Sequence, residues 1–253
     1  MMSLSLEGKV ALVTGAARDV GGEISRTLAA LGATVALNYQ SSAAKADALV
    51  AEIASAGGRA KAYRADVADY AAVTAMAEAV VADFGGIDIL INNAGVAERA
   101  RFLDTGPDEW KRQIDVGLYG AIHTAHAVAP YMIAANKGGR IISLGGDSSR
   151  VGEANLALAA AARAGSIGLT RSLAREFGRA DITVNAVMLG LILTAHSQPE
   201  WLEANLPKIL KSYPLKRIGQ PGDVAPMVAF LCSEGASWIT GQVISINGGF
   251  SMV

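Results

Sequence analysis

The run KVALVTGAARDVGG, residues 9–22, decides the architecture. Val10, Ala11, Leu12 and Val13 are apolar without alternation, and the run closes on Thr14 and Gly15 before an Ala- and Leu-rich stretch of helical period begins. A strand apolar on both faces is one covered on both faces, which is the condition of a parallel strand lying between helices. The same unit recurs outward along the chain. Further strand candidates are TVALNY (34–39), KAYRADV (61–67), IDILINNAG (87–95), GRIISLGG (139–146), ITVNAVML (182–189) and GQVISING (241–248). The helices between them close on Gly32, on Gly57 and Gly58, and on Gly85 and Gly86, while a longer one opens at Pro107 and Asp108; glycine past a helix end and proline at its start are the expected punctuation. No charge run, low-complexity linker or internal repeat interrupts the pattern. The expectation is an α/β fold, a single Rossmann-type doubly wound domain over residues 1–253 with a seven-stranded parallel sheet flanked by helices. Residues 194–214 are the exception: His196, Trp201, Leu202, Leu206 and Tyr213 form an irregular apolar pattern that reads as a substrate lid.

Composition narrows the function classes. Hydrophobic residues make up 51% of the 253 and charged residues 18%, which excludes a disordered chain and a coiled coil. The 22 basic and 23 acidic residues leave a net charge of −1, so no surplus of cations exists to neutralise a nucleic-acid backbone. Cys232 is the lone cysteine and sits in an apolar helical pattern, so it reads as core and forms no intrachain disulfide. His123 and His126 share a helix face but lack a nearby cysteine or a carboxylate one turn on, so no metal site is expected. The opening MMSLSLEGKVALVTG has no basic region followed by a long apolar run, and no stretch of membrane-spanning length occurs. The expectation is a cytoplasmic protein with a small-molecule substrate and no nucleic-acid or membrane partner.

In open sheets of this kind, ligands bind beyond the carboxyl ends of the strands, where strand order reverses. The segments there are TGAARDVGG, NNAGVAERA, LGGDSSRVGEANLALAAAARAG and LGLILTAHS. Thr14, Gly15 and Gly21, together with NNAG at 92–95, Asp66 and ITGQVISINGG at 239–249, resemble the short-chain dehydrogenase/reductase family. The tail RIGQPGDVAPMVAFLCSEGASWITGQVISINGG (217–249) is most similar to the β-ketoacyl-carrier-protein reductase branch. The resemblance implies strand order 3-2-1-4-5-6-7, a homotetramer or a hetero-oligomer with an active paralogue, and NADP as cofactor. It also implies a cofactor site at Gly15, Arg18, Gly21, Asn38, Asp66, Asn92, Ala94, Gly95 and Thr194, with Arg18 and Asn38 resembling NADP-preferring members. Two departures touch that site. Leu189 replaces the family's proline before Gly190, and Asp19 stands where the family has the middle glycine of the first turn. A carboxylate about 4 Å from a phosphate charge, at an effective dielectric near 20, is repelled by about 4 kcal/mol, roughly a thousandfold in affinity.

The reductase centre departs further. Setting AAAARAG on the family's Tyr-x-x-x-Lys motif puts Ala159 at the tyrosine and Arg163 at the lysine; thirteen residues upstream of 159, Gly146 takes the serine position, and Gly117 takes that of the asparagine. Alanine has no proton to donate, and arginine holds its own too firmly to shuttle it. A positioned acid or base contributes about 10²- to 10⁴-fold. Asp147, Arg163, Ser148 and Asp115 are the replacement catalytic candidates, with Asp147 and Arg163 the preferred pair and Ser149, Glu153, Asn155 and His196 nearby. A carboxylate base beside a fixed cation suits enolisation, dehydration or carbon–carbon cleavage. The leading expectation is therefore a non-redox catalyst on a small carbonyl or hydroxyl compound. The alternatives are an NADP-dependent, 3-ketoacyl reductase-like oxidoreductase with a relocated proton donor, and a non-catalytic ligand-binding or partner subunit.

Overall fold

The computed structural model describes residues 4–195, 197 and 199–253. In chain order the elements are β1 (Val10–Val13), α1 (Asp19–Ala30), β2 (Thr34–Tyr39), α2 (Ala43–Ser55), β3 (Arg59–Arg64), α3 (Tyr70–Phe84), β4 (Ile89–Asn92), α4 (Pro107–Ile114), α5 (Gly120–Ala135), β5 (Gly139–Gly146), α6 (Ser148–Val151), α7 (Ala157–Phe177), β6 (Ile182–Leu189), α8 (Pro199–Lys211), α9 (Pro221–Cys232) and β7 (Val243–Ile246). The strands form one seven-stranded sheet in the order β3-β2-β1-β4-β5-β6-β7, and every neighbouring pair is parallel. Leu12 of β1 lies in register with Ala36 of β2 on one side and Leu90 of β4 on the other. Among the described residues, no helix is long and apolar enough to cross a membrane.

The unbroken apolar runs are explained by two cores, one on each face of the sheet. Ala11 and Val13 of β1, with Ile89 and Ile91 of β4, pack with Ile24 and Leu28 of α1 and Val224 and Val228 of α9. The alternate residues Val10, Leu12 and Leu90 pack on the opposite face with Val73 and Val80 of α3 and Val128 of α5. Cys232 lies within the first core. Successive strand side chains point to opposite faces, so a strand serving two cores must be apolar at every position.

Caps fix where the connecting helices begin and end. The Asp69 carboxylate accepts the N–H groups of Ala71 and Ala72 at the head of α3, and Gly85, at φ 85°, ends it. Between α4 and α5 the chain makes a π-helical turn over Asp115–Tyr119, an irregularity that often re-aims residues near a site. Residues 199–211, within the stretch expected to be an irregular lid, are helical as α8. His196 lies outside the described residues.

Candidate functional site

The turn after β1 and the strand end of β4 are tied together by one side chain. Thr14 Oγ1 accepts the backbone N–H groups of Asn93 and Ala94, both at 3.0 Å. Asn93 Nδ2 in turn donates to the carbonyls of Thr14 at 2.9 Å and Gly15 at 3.1 Å. This is the point where the chain, having built β2 and β3 on one side of β1, crosses to build β4 on the other. A cleft of about 400 Å³ opens there, at the switch point where doubly wound sheets take their ligands.

Of the nine expected cofactor residues, Gly15, Arg18, Gly21, Asn38, Asp66, Ala94, Gly95 and Thr194 line this cleft. Asn92 does not. It is buried, accepting from Thr124 Oγ1 at 2.6 Å and donating to Ser143 Oγ at 3.4 Å, and its neighbour Asn93 faces the cleft instead. Neighbouring residues of a strand face opposite ways, so the NNAG motif contains the right residue one place on. Asn38 is a scaffold residue: its Oδ1 accepts the Gly15 N–H at 3.3 Å and its Nδ2 donates to the Ala65 carbonyl at 3.0 Å. Asp66 holds Gln40 Nε2 at 2.7 Å. Tyr39, Gln40, Ser41 and Ser42 also line this end of the cleft; their place at and directly after the end of β2 was the available sequence clue. Gly21 is required for close approach, since a Cβ there would stand 2.5 Å from the Gly15 carbonyl oxygen and 2.5 Å from Asn93 Nδ2.

Asp19 heads α1 at φ 51°, in the left-handed region that favours glycine. Its Oδ1 accepts the N–H of Ala195 at 2.8 Å, and Arg18 Nε lies 3.7 Å from its other oxygen. The carboxylate thus clasps the loop that follows β6.

The inner end of the cleft is lined by Gly117, Gly145, Ala159, Ala162 and Arg163. Helix α7 presents Ala159, Ala162 and Ser166 as buried residues three and four apart, which is one helical face. Small residues let α7 approach the π turn, where a Cβ on Gly117 would stand 3.1 Å from Ala162 Cβ. Arg163 reaches across the end of β5, so that a Cβ on Gly146 would meet its Nη1 at 2.6 Å and Ser148 Oγ at 3.6 Å. Burial pushes the Arg163 guanidinium below the usual arginine value, with Glu153 acting weakly against that shift; arginine nonetheless remains a cation at neutral pH.

Three expected catalytic residues are placed elsewhere, and the preferred pair does not form. Asp147 is 1% exposed. Its Oδ1 accepts from Ser245 Oγ at 2.6 Å, and its Oδ2 accepts from Asn247 Nδ2. The carboxylate therefore fastens the end of β5 to β7 and makes no ion pair with Arg163. Asp115 pairs with Lys111 one helical turn back and does not line the cleft. Ser148 is buried at the start of α6, near the Arg163 guanidinium but behind the lining. His123 Nδ1 meets the Val67 carbonyl at 2.9 Å and His126 Nδ1 meets Tyr70 Oη at 2.7 Å; no cluster of metal-ligating side chains occurs among the described residues.

Residues 15–251 match the family model described as enoyl-(acyl carrier protein) reductase. Over 245 residues the chain is 42% identical to the 3-oxoacyl-(acyl-carrier-protein) reductase FabG of Staphylococcus aureus, covering 96% of this chain and 98% of that protein. It is similar to a crystal structure of a putative short-chain alcohol dehydrogenase from Sinorhizobium meliloti, with a TM-score of 0.93, 35% identity and 98% of each chain covered. A blue fluorescent protein from a metagenomic library, solved in complex with NADPH, matches with a TM-score of 0.91 and 34% identity, covering 98% of this chain and all of that one. These likenesses overturn the expectation of a non-redox catalyst. They run the length of the chain and join it to proteins named as reductases, and the Asp147–Arg163 pair on which the non-redox reading leaned is absent because Ser245 and Asn247 hold the carboxylate.

Proposed function

Because this chain belongs to the short-chain dehydrogenase/reductase family, close to its 3-oxoacyl-(acyl-carrier-protein) reductase branch, we propose that it binds NADP(H) and reduces a carbonyl group with a proton donor relocated from position 159. The observation that carries this reading is the convergence of the expected cofactor positions on one cleft whose inner end holds Arg163. The residues fit the cofactor: the Gly15 and Gly21 turn leaves no room for a side chain at the head of α1, and Arg18, Ser41 and Ser42 offer a cation and hydroxyls to a ribose phosphate. When bound, the reduced nicotinamide supplies the hydride.

The chain's own groups supply charge stabilisation and the space for a proton donor. Arg163 stabilises the negative charge that grows on the carbonyl oxygen, because a fixed guanidinium in a partly desolvated wall needs no reorganisation as charge develops. It keeps its proton. The proton comes from a water molecule in the space that the small side chain of Ala159 leaves in the cleft wall. Water is a weaker acid than a tuned tyrosine, so turnover is slow by the margin that a positioned acid supplies, about 10²- to 10⁴-fold. The whole chain acts as a single cytoplasmic domain, with α8, from within the stretch expected to be a lid, covering the substrate and four copies assembling as a tetramer.

The test is reduction of a 3-oxoacyl thioester by NADPH, followed by loss of reduced-nicotinamide absorbance. Slow turnover is expected in the natural chain. Introducing Gly117→Asn, Gly146→Ser, Ala159→Tyr and Arg163→Lys together raises it about 10²-fold or more. Failure of NADPH to bind at millimolar concentration refutes the proposal.

A further inference from the structure

We propose that Arg163 makes the inner end of the cleft a carboxylate-binding subsite, so that the compound taken up beside the cofactor is a small oxo acid bearing a free carboxylate. The carbonyl-reducing role of that compound rests on the function proposed above; the anion site rests on Arg163 itself.

A guanidinium has five N–H donors and no acceptor. Among the described residues, that of Arg163 has no hydrogen bond or ion pair, whereas Arg26, Arg112 and Arg217 are paired with Glu52, Glu98 and Asp223. Glu153, the acid whose field reaches it, is engaged by Arg99. A partly desolvated cation with no partner is unfavourable, and the two forms of relief are a change of protonation or an incoming anion. Arginine resists the first. Space exists for the second. Gly117, Gly145, Ala159 and Ala162 contribute only hydrogen or methyl side chains to the cleft, and Val116, Leu144 and Leu189, which also line it, are apolar and offer the guanidinium no partner. Planar, bidentate pairing is the geometry in which guanidinium and carboxylate match. Neutral ribose hydroxyls of a cofactor engage part of the donor set and leave the charge uncompensated. An uncharged ketone leaves it uncompensated as well.

Pyruvate and its uncharged isostere pyruvamide are the probes, titrated into the full-length protein alone and in the presence of saturating NADPH, with melting temperature and calorimetry as readouts. Half-saturation by pyruvate is expected at a concentration at least about tenfold below that of pyruvamide, the margin of one charge-assisted pair. Arg163→Met removes this preference, and Arg163→Lys, which keeps the charge, retains part of it. Equal half-saturation by the two probes overturns the proposal, and so does a carboxylate preference that persists in Arg163→Met, because the anion then binds elsewhere. If NADPH does not bind the natural chain, the reductase reading falls while the pyruvate preference of the cofactor-free protein still decides the subsite. If pyruvate is preferred and no oxo acid is reduced, the subsite stands and the reductase reading fails.

Discussion

Removing the charge of Asp19 should tighten NADPH binding. The carboxylate stands at the head of α1, where pyrophosphate charge rests in dinucleotide-binding folds. Unscreened, one such charge about 4 Å from another costs about 4 kcal/mol at an effective dielectric of 20. Arg18 Nε lies 3.7 Å from the same carboxylate, and the Asp19 side chain is 20% exposed, so most of that repulsion is offset. A residue of about 1–2 kcal/mol remains, or about 5- to 30-fold in affinity. Two substitutions separate charge from geometry. Asp19→Asn keeps an acceptor for the Ala195 N–H and tolerates the left-handed backbone at φ 51°. Asp19→Gly removes the clasp as well. Backbone strain is present with and without nucleotide, so its relief in the glycine variant appears in melting temperature and cancels from affinity. Binding is measured by titrating NADPH and following its fluorescence from low to high salt. Both variants should bind about 5- to 30-fold more tightly at low ionic strength, with the advantage shrinking as salt screens the charge. Equal affinity of Asp19→Asn and the natural chain at low salt, or an advantage indifferent to salt, refutes the electrostatic reasoning.

Gly21→Ala should lower stability by about 1–3 kcal/mol and weaken NADPH binding, because the added Cβ meets the Gly15 carbonyl oxygen at 2.5 Å and a backbone carbonyl cannot rotate away; a thermal melt and the same titration check both. Asp147→Ala leaves Ser245 Oγ and Asn247 Nδ2 without their buried acceptor and should cost about 2–4 kcal/mol, a fall of about 5–15 °C in melting temperature for a chain of this size. Folded Asp147→Ala protein should retain NADPH affinity, and loss of turnover at unchanged melting temperature would restore Asp147 to a catalytic role. Asp223 is held down to about 2 by hydrogen bonds from Arg217 and the Gln220 N–H. A depressed carboxylate contributes stability above its unfolded value near pH 4, and that contribution is lost as pH falls toward 2. Asp223→Asn should therefore lose less stability than the natural chain between pH 4 and 2, seen in denaturant melts at each pH.

Most of the fold was legible because periodicity reports burial. Two cores require apolar residues at the strand positions that face them, and uninterrupted runs such as Val10–Val13 and Ile89–Ile91 carry that requirement openly. Strand ends were less legible: β4 stops at Asn92, not at Gly95, and Asn92 turns inward where Asn93 turns to the cleft. The deciding contact is Thr14 Oγ1, 79 residues away in sequence from Asn93. Asp147 was misread for a related reason. A carboxylate directly after β5 looks free until β7 brings Ser245 and Asn247 to it from 98 and 100 residues away. The π turn at Asp115–Tyr119 left no mark in the hydrophobic pattern, because one extra residue per turn shifts a face without changing its composition. The α8 segment looked irregular because Pro207 interrupts its pattern, yet Pro199–Lys211 is helical.

The unusual residues at the inner end of the cleft form a coupled set. An arginine at 163 is long enough to lie over the backbone of residue 146, and it does so only because 146 is glycine: a Cβ there would stand 2.6 Å from Nη1. A serine at 146 would push the guanidinium aside, at little cost in stability because the arginine end is flexible, but with loss of its position in the cleft wall. A tyrosine at 159 enters the same wall one helical turn before Arg163, and any side chain on residue 117 must pass Ala162, whose Cβ lies 3.1 Å from where it would begin. Each reversal made alone therefore collides with, or displaces, a neighbour suited to the present arrangement. Contacting residues of this kind are expected to be non-additive. Hence a tyrosine reinstated at 159 beside an unchanged Arg163 and Gly146 should recover far less turnover than its chemistry warrants, and the four positions must be changed together for the proton-donating function to be compared with the one this cleft has now.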